Sequence, residues 1–92
     1  MRDDSFEWDD DKAAANLARH GVPFEAARAL FDDPLLLDWH DDRFECDEER
    51  FVAIGMAYGR LLAVVYVMRD DRIRIVSLRG AEPAEGRAYH RD

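Results

Sequence analysis

The chain opens on an alternation of polar and apolar positions, Ser5-Phe6-Glu7-Trp8-Asp9. That period of two predicts a short strand at a sheet edge. Asp9, Asp10 and Asp11 follow as N-caps whose charge suits a helix N-terminus. The alanine-rich run from Lys12 to Arg19 predicts a helix, closed at His20-Gly21 where glycine can take the left-handed C′ conformation. Pro23 fits the first turn of a second helix reaching to about Phe31. Phe24, Ala27, Leu30 and Phe31 repeat with helical spacing and define its buried stripe. Asp32-Asp33-Pro34 stops it, because a residue before proline avoids the helical region. Leu35 to Trp39 reads as a strand, and His40 to Glu48 as a charged loop.

Phe51–Tyr58, Leu61–Met68 and Arg72–Arg79 are rich in branched and aromatic residues, and they predict three antiparallel strands. Tyr58-Gly59-Arg60 is a tight connection and Asp70-Asp71 a two-residue hairpin turn. Leu61–Met68 is apolar on both faces and belongs at the sheet centre. Strict alternation in the third strand sets Arg72, Arg74, Val76 and Leu78 on one face. Ile73, Ile75, Ser77 and Arg79 then fall on the other. A last helix is expected over residues 81–92, with Pro83 near its start. The pattern is that of an α+β protein: a small antiparallel sheet, two N-terminal helices and a C-terminal helix. Residues 1–92 are expected to form one domain, since 92 residues leave too little chain for a second core.

Charge changes this picture more than composition does. The net charge of −8 opposes nucleic-acid binding on average. Residues 1–48 hold 15 acidic and 5 basic residues, whereas residues 49–92 hold 6 and 8. The second half is therefore weakly cationic and the first strongly anionic. The acidic start lacks an apolar signal core, and no apolar run is long enough to span a bilayer. Together with the single cysteine, Cys46, this gives the expectation of a cytoplasmic protein that meets no membrane. Acidic neighbours disfavour a thiolate at Cys46.

Arg50, Arg60, Arg69, Arg72, Arg74 and Arg79 fall within thirty residues. Guanidinium forks match phosphate oxygens, so the cluster suits a phosphate cradle. A solvated sheet edge uses the same residue types to discourage aggregation. Arg79, on a face with isoleucines, sits at the core rim or pairs with an acid, and Glu85 is one candidate. Lys12 and His20 lie eight residues apart, about two helical turns, and can point the same way. RNA cleavage without a metal needs a base for the 2′-hydroxyl proton, an acid for the leaving 5′-oxygen, and cations for the phosphorane charge. Histidine, lysine and arginine suit those roles. A helix-end histidine and a solvated first-turn lysine are equally ordinary structural features. Tyr89 reads as packing against the sheet with its hydroxyl at the rim. Asp38, His40, Asp41, Asp42 and Cys46 match no metal-site spacing, and no phosphate-binding glycine loop is present. No cofactor is expected.

In order along the chain come Phe6-Glu7-Trp8-Asp9, Lys12, Asn16, His20-Gly21-Val22, Phe24, Ala27 and Phe31-Asp32-Asp33-Pro34. Then follow Glu49-Arg50-Phe51, Ile54-Gly55, Arg60 with Leu62–Tyr66, Arg74–Ser77, Arg79, Ala81, Glu85 and Tyr89. This series resembles the BrnT toxins, the DUF497 family, over nearly the whole length. The resemblance implies a RelE-like ribonuclease fold and a toxin of a type II toxin–antitoxin module that cleaves RNA and arrests growth. It also implies neutralisation by an adjacent BrnA-type antitoxin, whose DNA-binding domain represses the operon. By matching position, His20, Lys12 and Arg79 inherit candidate catalytic roles, and Arg50, Arg60 and Arg74 candidate RNA-phosphate contacts, with no metal. The acidic balance and the Gly80, Glu82, Pro83 and Gly86 segment depart from the family's basic character. They favour, as the alternative, a non-catalytic or attenuated member that binds the antitoxin and tunes repression.

Overall fold

The structure, a computed structural model, describes residues 1–41 and 48–91. Its five strands are β1 (Phe6–Glu7), β2 (Leu37–Asp41), β3 (Arg50–Ala57), β4 (Arg60–Arg69) and β5 (Arg72–Gly80). They form one sheet in the order β1-β5-β4-β3-β2. The long strands pair antiparallel, with β4 central as its two apolar faces require. The sheet is mixed rather than purely antiparallel, because β1 runs parallel to β5, Phe6 opposite Ile73 and Glu7 opposite Arg74.

Helix α1 spans Asp10–His20. The Asp9 carboxylate accepts from the N–H groups of Asp11 and Lys12 at 2.8 and 3.1 Å, and Gly21 closes the helix at φ +70°. Helix α2 covers Ala26–Phe31, later than Pro23 suggests, since residues 23–27 first make i→i+3 bonds. Helix α3 is Pro83–Tyr89, with Glu82 and Glu85 as a reciprocal capping box. Both tight hairpins turn through two residues of positive φ, Tyr58-Gly59 and Asp70-Asp71. That conformation matches strand twist.

The two sheet faces are covered differently. One carries the main core: Phe24, Ala27 and Leu30 lie fully buried on Ala53, Leu62, Val64, Ile75 and Leu78. Each large side chain buried there contributes about 2 kcal/mol. The other face carries the smaller cluster Val52, Ile54 and Ala63, against which Ala81 and Tyr89 pack. Helix α3 thus covers only one end of that second face. The expectation of a charged loop from residue 40 is corrected in part: His40 and Asp41 belong to β2, and Asp41 is buried opposite Arg50. Residues 42–47, and with them Asp42 and Cys46, lie outside the described residues.

Candidate RNA-binding groove

The bulge in β5 decides where Arg79 points. Tyr66 pairs with Ile75 and Val65 with Ser77, so Val76 is an extra residue with no partner on β4. One inserted residue reverses the alternation after it. Ile73, Ile75 and Leu78 therefore all reach the main core, and Leu78 does not share a face with Arg74. Arg79 lies opposite Ala63 on the second face, together with Arg74 opposite Val67. The expectation that Arg79 shares a face with Ile73 and Ile75 is thus overturned by a single bulged residue.

Beyond the reach of α3, the second face and the flank of α1 form two adjoining hollows. The first, about 190 Å³, is lined by Lys12, Glu48, Arg50, Val67, Arg69, Arg74 and Val76. The second, about 210 Å³, is lined by Lys12, Ala15, Asn16, Arg19, His20, Val76 and Ser77. Lys12 and Val76 border both, so the two make one groove along α1. Lys12, Asn16 and His20 are spaced four residues apart and form the helix stripe that faces it.

The groove is cationic but internally balanced. Arg69 grips Glu48 through two hydrogen bonds, and Arg74 Nη1 reaches Glu7 Oε2 at 3.0 Å. The Glu48 carboxyl is held below its ordinary range, first by the Arg69 hydrogen bond and then by attraction to Arg69, Arg74 and Arg50. Asp9 is lowered mainly by its two backbone N–H donors, with smaller attraction from Lys12 and Arg74. These shared fields place Arg50, Arg69, Arg74 and Lys12 around one volume. Among the described residues the Lys12 ammonium makes no ion pair, so its charge is available to a ligand.

Of the expected site residues, the groove gathers Lys12, His20, Arg50 and Arg74. Arg79 stands at the α3 end of the same face, where its guanidinium holds Glu85, the acid anticipated for it. Arg60 is on the opposite face, sharing a strand side with Leu62, and its guanidinium lies over Gly80. Tyr89 packs on the sheet as expected and donates its hydroxyl to Asp33. Arg69, to which the resemblance gives no site role, lines the groove, and so do Glu48, Asn16 and Arg19. The alternation Val65, Val67, Arg69 was the available signal for Arg69. Among the described residues, no three His, Cys, Asp or Glu side chains gather as a metal site.

An arginine-lined groove on a small α+β sheet has the side-chain chemistry that matches phosphate oxygens. The family model described as a ribonuclease toxin, BrnT, of type II toxin–antitoxin system matches residues 8–85. The chain belongs to that family. No curated protein matches the chain. No helix among the described residues is long and apolar enough to cross a membrane.

Proposed function

We propose that this chain is a metal-independent endoribonuclease toxin of RelE-like fold, acting in the cytoplasm on RNA threaded along the α1 groove. The observation that carries the reading is the convergence of Lys12, Arg50 and Arg74 on one hollow, with His20 in the next. In this reading Arg50 and Arg74 bind the non-bridging oxygens of the scissile phosphate and draw off charge as the phosphorane forms. His20 takes the 2′-hydroxyl proton. The 2′-oxygen attacks phosphorus, the bond to the 5′-oxygen breaks, and a protonated group returns a proton to that oxygen. Lys12, shared by both hollows, stabilises the leaving oxygen or protonates it. Arg79 contacts a flanking phosphate at the α3 end of the face, with Glu85 holding it in place. Arg60, on the opposite face, contributes only to the long-range field.

Single-stranded RNA, whose unstacked nucleotides can enter a groove, is the substrate form in this reading. A BrnA-type antitoxin neutralises the toxin by covering the groove, and DNA is met only through that partner. The test is cleavage of a labelled single-stranded RNA in excess chelator. Alanine at His20 is expected to lower the rate about a hundredfold or more, and alanine at Lys12 or Arg74 to lower it less. Undiminished cutting by both His20→Ala and Lys12→Ala would sink this reading.

The pairing of Arg69 with Glu48 and Arg74 with Glu7 favours a second reading, a non-catalytic module that binds its antitoxin and tunes repression. Expression without the partner separates the two. Growth arrest supports the enzyme, and harmless accumulation supports the module.

A further inference from the structure

Asn16 is buried at 8% exposure and joins α1 to the strand that carries the bulge. Its Nδ2 donates to the Leu78 carbonyl at 2.7 Å and to the Val22 carbonyl at 3.2 Å. Its Oδ1 accepts from the Leu78 N–H at 3.2 Å. Strand β1 accompanies β5 only as far as Arg74, so among the described residues no strand lies beside the outer edge of β5 past the bulge. The Asn16 carboxamide takes that place, offering Leu78 a donor and an acceptor as a neighbouring strand residue does.

We infer that Asn16 is a positioning residue for cleavage, setting the register of α1 on β5 so that Lys12 and His20 flank Val76. The inference rests on the groove being the RNA site. Apolar packing does not define that register by itself. Ala13 is only partly buried, and Leu17 is 48% exposed, so α1 offers the sheet little large apolar surface. The three hydrogen bonds supply the missing restraint. Lys12 and His20 stand one helical turn to either side of Asn16, and a slip of one turn moves both by about 5.4 Å. Aspartate at this position loses both donors and sets a charge against two carbonyls. Glutamine is one methylene too long for the same geometry.

Steady-state RNA cleavage by Asn16→Ala, well below its melting temperature, tests this against Leu30→Ala. Leu30 lies on the opposite sheet face and loses stability without touching the groove. Asn16→Ala is expected to lower kcat about tenfold to a hundredfold with KM changed less than about threefold, because misplacement acts on the reacting geometry. Leu30→Ala is expected to keep kcat. A wild-type kcat in Asn16→Ala, or an equal loss in Leu30→Ala, overturns the inference. Should Asn16→Ala not fold, Asn16→Ser, which keeps one short hydrogen-bonding group, is read by the same kcat and KM split. Wild-type protein that cuts no RNA overturns the ribonuclease reading instead. Asn16 is then tested by titrating inorganic phosphate while following the His20 ring protons by NMR. A His20 ring-proton shift at phosphate saturation that differs from wild type in Asn16→Ala supports the positioning role, and an identical shift overturns it.

Discussion

Arg79 and Glu85 meet through two parallel hydrogen bonds, Nη1 to Oε1 at 2.7 Å and Nη2 to Oε2 at 3.0 Å. Glu85 Oε1 also accepts the Glu82 N–H at 2.8 Å as part of the α3 capping box. One carboxylate therefore caps the last helix and ties it to β5. Removing the arginine leaves that half-buried carboxylate poorly paired. Arg79→Ala is expected to cost about 2 kcal/mol, read by denaturant unfolding. The double variant Arg79→Ala/Glu85→Ala is expected to cost less than the two single losses summed. RNA cleavage by Arg79→Ala is expected to fall less than in His20→Ala, since Arg79 stands outside the two hollows.

Glu48 is an internal competitor for the groove's cations. Its carboxylate holds Arg69 where an RNA phosphate is proposed to lie. Glu48→Gln is expected to tighten binding of a non-cleavable single-stranded oligonucleotide by about threefold or more at low salt, with a steeper dependence of affinity on salt. A titration series over ionic strength checks both. An unchanged affinity and slope places the RNA track elsewhere.

At Gly55 the end of α2 lies close against the sheet. A Cβ there meets the Leu30 carbonyl oxygen at 2.9 Å and Leu30 Cγ at 3.2 Å. The backbone contact cannot yield without moving the helix. Gly55→Ala is expected to destabilise the protein by about 1–3 kcal/mol, seen as a lower melting temperature.

Acid sensitivity follows from two carboxylates. Asp3 is lowered to about 2, first by the Phe6 N–H, then by Arg28 and the Ser5 N–H. Asp33 is lowered from its ordinary 3.8, first by the Tyr89 hydroxyl and then by the N–H groups of Leu35 and Met56. Depressed carboxylates bind protons more readily when unfolded. Their contribution is complete above the ordinary value and lost as pH falls through the folded one. Melting temperature is expected to drop as pH falls from about 4 to about 2. Asp3→Asn and Asp33→Asn are each expected to flatten that drop. Melts across this range check the sign.

Much of the fold was legible because its signals are local. Runs of branched residues define β3, β4 and β5, and a two-sided apolar run puts β4 in the centre. Asp9 and Gly21 cap α1 through groups one turn away, so their roles follow from neighbours in sequence. Lys12 and His20 could be matched because helical spacing alone sets them on one stripe. The acid opposite Arg79 was also within reach, only six residues along.

The site as a whole was decided by tertiary structure. Strict alternation carries no trace of an unpaired Val76, because a bulge exists only between two strands. Beyond it, Asn16 from the first helix takes over the edge of β5, a partnership spanning sixty-two residues. The sequence by itself determined which residues form strands and helices, and that the second half carries the cations. Only the folded sheet decided that Arg74 and Arg79 share a face. The physical reason is the two-residue period of a strand: one residue inserted by long-range pairing reverses every side chain beyond it.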